Sequence, residues 1–146
     1  MTDKIKYRDA HEYKYQLADD YHIQTLIRPG KVINHPTKPV FITLDSSGIM
    51  TIHAGYAWNG ASGPSIDTKN TMRGSLVHDA LYAMMQAGLI EEHYCGYADK
   101  LLRDILREDG MSDFRSWYYY QAVRKFGASS AKAGSGKEER KIYIAP

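Results

Sequence analysis

The sequence predicts an α+β fold: an N-terminal antiparallel β-sheet packed on a C-terminal three-helix segment that contains an antiparallel helical hairpin. Two patterns and a boundary between them predict it. Before residue 55, apolar and aromatic residues recur at every second position; after residue 67 they recur at every third or fourth. Between the two, residues 55–64 hold three glycines and a proline in ten positions, which no regular helix tolerates. With 146 residues, 43% hydrophobic and 25% charged, the chain has the composition of a globular domain able to bury a core, neither disordered nor collagen-like.

The strands come first. Tyr13, Tyr15 and Leu17 alternate with polar residues, and after Asp19-Asp20 so do Tyr21, Ile23, Thr25 and Ile27. Pro29-Gly30 stops the second run, and Pro36 and Pro39 mark a loop. Two further runs, residues 40–44 and 49–54, flank Asp45-Ser46-Ser47-Gly48, a hairpin connection with glycine at its end. One small sheet of about four strands is expected. The glycine-rich stretch that follows carries Tyr56 and Trp58, two side chains that favour burial. It reads equally as a loop that wraps a ligand, because glycine lets backbone approach closely, or as a packed crossover into the helices.

The helices follow. Asp67 or Thr68 suits an N-cap; Val77, Ala80, Leu81, Met84 and Met85 form an apolar stripe; Gly88 suits the C-terminal end. A second helix is expected from Glu91-Glu92 to Asp109-Gly110, with the stripe Ala98, Leu101, Leu102, Ile105 and Leu106. The short link between them makes the two helices antiparallel neighbours. Ser112 and Asp113 open a third helix over residues 114–126, apolar over most of its circumference through Trp117, Tyr118, Val123 and Phe126. Arg103, Asp104, Arg107 and Glu108 read as a solvated face paired within its own helix. Residues 128–137 are a small-residue linker, and residues 141–144 alternate like a short strand. The expected organisation is a single α+β domain over residues 1–127 and a flexible basic tail over 128–146.

Charge and cysteine usage exclude several classes. Six Lys/Arg against two Glu between Arg124 and Lys141 give that segment +4 of the overall +2, leaving −2 for the rest. A slightly acidic body weighs against nucleic-acid binding. No apolar run reaches the roughly eighteen residues of a membrane span, and the first residues lack the apolar stretch of a signal peptide. The single cysteine, Cys95, excludes an internal disulfide and fits a reducing compartment. It reads as packing, since no basic residue lies near it in sequence to activate a thiolate. His53, His78 and His93 lack the spacing of a zinc site. The strand-rich first half argues against a helical metal-dependent phosphohydrolase.

The chemistry is concentrated in Ser75-Leu76-Val77-His78-Asp79-Ala80-Leu81-Tyr82. His78 and Tyr82, four apart, stack on one helical face, and Asp79 points about 100° away. On the next helix Asp99 sits among apolar residues where packing does not call for a carboxylate. An imidazole with one nitrogen bonded to a buried carboxylate takes a proton from water on the other, and Tyr82 can satisfy a further lone pair of the same carboxylate. Asp79 is placed to hold a hard cation together with backbone carbonyls of the glycine-rich loop. The plainer reading is a satisfied core pair that pins two helices.

His-Asp-x-x-Tyr on one helix, with an aspartate about twenty residues later on the next, resembles secreted phospholipase A2, especially its small bacterial and fungal forms. The resemblance implies His78 as general base, Asp99 as the group that orients it, Tyr82 as support for Asp99, Asp79 as a calcium ligand, and residues 55–63 as the calcium loop. It covers about thirty residues; the disulfides of that family have no counterpart here, and the β-rich N-terminal half of this chain has none there. Over roughly residues 10 to 127 the chain also resembles a family of small uncharacterised bacteriophage and prophage proteins. The shared motifs are Gly55-Tyr56-Ala57-Trp58-Asn59-Gly60-Ala61-Ser62, the Ser75 to Tyr82 helix, and Ala98-Asp99. Asn59 stands where an aspartate is expected, so a metal bound there would have an uncharged ligand. The expected function is therefore a phage protein, in the virion or host cytoplasm, that hydrolyses (phospho)lipid esters with calcium. The alternative is a non-catalytic virion or tail component, held to acidic phage proteins or to a neighbour's sheet edge by residues 128–146.

Overall fold

The structure, a computed structural model, describes residues 5–9, 13–60 and 68–134. The chain divides into two compact units, a β unit that ends at Trp58 and a helical unit that begins at Asn59. The order is the expected one, antiparallel sheets and then three helices, of which two pack as a hairpin. The strand expected at residues 141–144 and most of the tail lie outside the described residues.

The β unit contains β1 (Tyr7–Asp9), β2 (Tyr15–Leu17), β3 (Tyr21–Gln24), β4 (Ile33–Asn34), β5 (Ile42–Leu44), β6 (Ile49–Ile52) and β7 (Ala57–Trp58). These make two antiparallel sheets, ordered β1-β2-β7 and β3-β6-β5-β4, in place of the single sheet of about four strands that alternation predicts. The reason is edge occupancy. Strand β2 has β1 on one side and β7 on the other, so no edge remains for β3, which pairs instead with β6. Alternation specifies which face a residue takes but not which strand it joins. Tyr21 and Ile23 point inward and His22 and Gln24 outward, as a period of two requires.

The connection Asp45-Ser46-Ser47-Gly48 is the predicted hairpin turn. Asp45 Oδ1 accepts from Ile49 N at 2.9 Å and from Ser47 N at 3.0 Å and Oγ at 2.9 Å. The Ile49 and Ser47 bonds hold this exposed carboxyl below its ordinary range. Of the glycine-rich stretch, Tyr56 and Trp58 are buried, and β7 is a strand. Trp58 packs with Tyr15 and Tyr7 at ring separations of 5.7 and 6.0 Å. What the backbone approaches closely at Gly55 is Phe41, whose ring edge would lie 2.9 Å from an added Cβ.

The helical unit contains α1 (Lys69–Gln86), α2 (Cys95–Glu108), preceded by a 3-10 turn at Glu92–Tyr94, and α3 (Asp113–Ser130). Thr68 is the N-cap of α1, and its amide donates to Thr71 Oγ1 at 3.0 Å. Both α1 and α2 end in the same way. Gly88 and Gly110, at φ of +73° and +97°, let the following amides of Leu89 and Met111 return to Met84 O and Leu106 O. The predicted stripes of α1 and α2 are buried throughout. Their antiparallel register is fastened at one end by Arg73, only 3% exposed. It is bonded to Glu108 and, through Nε and Nη2, to Asp109 at 3.1 and 2.9 Å. The charges expected to pair within α2 therefore pair across elements, Glu108 with Arg73 and Arg107 with Asp113.

Helix α3 departs from expectation twice. Only Ser116, Tyr119 and Gly127 are buried, while Phe114, Trp117, Tyr118 and Phe126 are exposed. One face suffices for its docking, with Tyr119 and half-buried Val123 against Leu102, Leu106 and Met111. The helix also runs on to Ser130, into the stretch expected to be mobile. Gln86 explains this: its Nε2 donates to Ser130 O at 2.8 Å and its backbone O accepts from Gly134 N at 2.7 Å. Ala133 N also donates to Glu92 Oε2 at 2.8 Å. Among the described residues no helix is long and apolar enough to cross a membrane.

Candidate active site

Three of the residues singled out from sequence converge. His78 and Tyr82 lie one turn apart on α1, with ring centroids 4.4 Å apart. Asp99, on α2, is fully buried. Its Oδ1 lies 2.6 Å from His78 Nε2 and accepts the Tyr82 hydroxyl at 2.8 Å. Antiparallel packing of α1 and α2 brings these positions level. Because Nε2 is engaged by the carboxylate, Nδ1 is the nitrogen left to take a proton. The His78 side chain keeps 15% exposure, enough for water to reach it while Asp99 stays dry.

Sequence reasoning missed two contributors, both on α3. Arg124 Nη1 lies 3.2 Å from Asp99 Oδ2. This is a charge contact without an aligned hydrogen bond, since Oδ2 is buried with no hydrogen-bond partner. Gly127, one turn further on, leaves the space in which the pair sits. A Cβ there would stand 2.8 Å from Tyr82 Oη and 3.0 Å from Asp99 Oδ2. The signal was present in the sequence as an arginine and a glycine three apart, hence on one helical face, but nothing in it named Asp99 as their target.

Burial raises the Tyr82 phenol well above its ordinary value of 10.0, and the bond it donates to Asp99 raises it further. Tyr82 therefore remains a donor through the neutral range. Tyr82→Phe should cost about 2 kcal/mol at pH 7, the worth of a hydrogen bond to a charged group. The folded value exceeds the unfolded one, so this stabilisation is complete below about pH 10 and declines as pH rises beyond it. Urea unfolding of both proteins at pH 7 and above pH 10 checks it: the gap between them should narrow at the higher pH.

The two expected metal ligands are Asp79 and Asn59. Asp79 is half-buried beside His78 on α1, and Asn59 is exposed at the start of the helical unit. Among the described residues no group of three or more His, Cys, Asp or Glu is arranged to hold a metal ion. Calcium takes six to eight oxygens, so these side chains do not by themselves make a calcium site. Of the expected calcium loop, residues 55–63, positions 61–63 lie outside the described residues. Cys95 is buried at the start of α2, in keeping with a packing role.

A family described as a protein of unknown function (DUF1353) matches residues 37–123. The matched span contains His78, Asp79, Tyr82 and Asp99 and stops one residue short of Arg124. No curated protein and no solved structure matches the chain.

Proposed function

The chain belongs to the DUF1353 family of proteins of unknown function, and from its own site we propose a hydrolase of (phospho)lipid esters with a phospholipase A2-like His–Asp pair. One observation carries this reading. A partly exposed imidazole is bonded at 2.6 Å to a fully buried carboxylate that a tyrosine one turn along also supports. In the proposed reaction Nδ1 of His78 takes a proton from water as the water oxygen attacks the ester carbonyl carbon. Asp99 keeps the imidazole in the tautomer with Nδ1 unprotonated and stabilises the imidazolium that forms. The carbon–oxygen bond to the leaving alcohol then breaks and the imidazolium returns its proton to that oxygen, so that water and ester become acid and alcohol.

Water activation by histidine is common to many ester hydrolyses; the lipid substrate comes from the local resemblance to phospholipase A2. Calcium belongs to the proposal only through Asp79, the carboxylate next to the base, with backbone carbonyls completing its shell; when bound it would polarise the ester carbonyl. The motifs shared with small phage proteins make a phage-borne enzyme, in the virion or the host cytoplasm, the setting we propose. The alternative is a non-catalytic virion or tail component held by residues 128–146, of which Ser130, Ala133 and Gly134 also make bonds within the helical unit.

Hydrolysis of phospholipid vesicles and short-chain esters, with calcium and with chelator, is the test. Wild-type protein should release fatty acid, and His78→Ala should abolish release while leaving the helical circular dichroism unchanged. Loss of activity on chelation supports the calcium part. Absence of hydrolysis by the wild type across lipid classes overturns the reading.

A further inference from the structure

We propose that Arg124 of α3 is a positioning residue of this site: it keeps the buried Asp99 ionised and so holds the His78 imidazole in its working tautomer. The surroundings of the Asp99 carboxylate are asymmetric. His78 and Tyr82, both on α1, bond to Oδ1, and neither supplies a permanent charge. Oδ2 is equally buried, and the guanidinium of Arg124 is the group that faces it, at 3.2 Å. A carboxylate removed from water is strongly disfavoured unless a charge pairs with it. Without Arg124, Asp99 lowers its cost by taking a proton. A neutral carboxyl then draws the Nε2 proton of His78 weakly, and the preference that leaves Nδ1 basic is lost.

Two glycines make room for this approach. A Cβ at Gly96 on α2 would stand 3.1 Å from Arg124 Nη1, and one at Gly127 on α3 would crowd Asp99 Oδ2. The guanidinium head thus has a cleared path over α2 to the second oxygen. The Arg124 side chain keeps 34% exposure, so its own charge is partly hydrated and is not itself a buried burden.

The kinetic part of the test rests on the hydrolytic reading above, and the spectroscopic part does not. In the full-length wild type at pH 7, the side-chain carboxyl carbon of Asp99 should resonate as a carboxylate. A downfield His78 Nε2 proton should be visible by nitrogen-edited NMR. Arg124→Gln should move Asp99 to the carboxylic-acid position and abolish the His78 proton signal, and Arg124→Lys should restore both. In the ester assay Arg124→Gln should lower kcat on the order of 10–100-fold, the effect typical of outer partners that orient a histidine, with KM nearly unchanged. A protonated Asp99 in the wild type, or a folded Arg124→Gln protein with both signals intact, overturns the proposal. If Arg124→Gln does not fold, Arg124→Lys decides. Signals retained with the charge support the proposal, and signals lost although a charge remains overturn it. Should the wild type hydrolyse nothing, the NMR result still decides the role of Arg124 while the hydrolytic reading falls.

Discussion

Asp99→Ala should lower the stability of the protein by about 3 kcal/mol, at the low end of the range for removing one partner of a buried ion pair. Two groups lose their acceptor, His78 Nε2 and the Tyr82 hydroxyl, and Arg124 loses its counter-charge. The cost falls mainly on Tyr82, which is 5% exposed and left with an unsatisfied hydroxyl. His78 and Arg124 reach solvent in part and recover some hydration, which holds the estimate down. The urea midpoint measures the loss. Asp99→Asn separates charge from volume: it keeps an acceptor for Tyr82 and should cost less, yet should still remove hydrolysis. Asp99→Ala combined with Arg124→Gln should cost less than the sum of the two single changes, because the second change removes the charge that the first left unpaired. Strict additivity would mean that the 3.2 Å contact contributes no coupling.

Gly127→Val should be nearly as damaging, about 2–3 kcal/mol, through overpacking. The first added carbon already meets Tyr82 Oη at 2.8 Å and Asp99 Oδ2 at 3.0 Å. Neither neighbour can swing away without breaking the bond between them, and the valine methyls demand more room still. On propensity alone, replacing a glycine inside a helix by alanine gains up to about 1 kcal/mol. Even Gly127→Ala should therefore fail to show that gain. Ala128→Val is the control. Residue 128 is the next on α3 and exposed, so only helix propensity changes there, by under about 0.7 kcal/mol. Thermal or urea unfolding of the three variants separates steric crowding from propensity, and equal effects at 127 and 128 would refute the crowding.

Local rules carried much of the fold. Apolar spacing placed the buried stripes of α1 and α2 residue by residue, because helix period alone decides which side chains share a face. The N-cap of α1, narrowed to Asp67 or Thr68, the cap at Ser112, the ends at Gly88 and Gly110, and the hairpin turn at Asp45 were legible for the same reason: each is settled within five or six residues. The pairing of His78 and Tyr82 with Asp99 was legible because helical phase and a short antiparallel connection together leave few partners for a carboxylate in an apolar stripe.

What the sequence by itself determined, then, was the order of strands before helices, the facing of β3, α1 and α2, the antiparallel helix pair, and the three side chains that meet on it. Only the tertiary structure decided which strands share a sheet, since β2 fills both its edges before β3 can join. It alone decided that α3 buries one face rather than most of its girth, and that its last turn is tied down by Gln86. It also decided that Arg124 and Gly127 complete the surroundings of Asp99. The physical reason is common to all of these. A period in sequence specifies a direction from the helix or strand axis, whereas a partner across space depends on how separate elements dock, and that depends on edges, glycine-sized gaps and charges far apart in the chain.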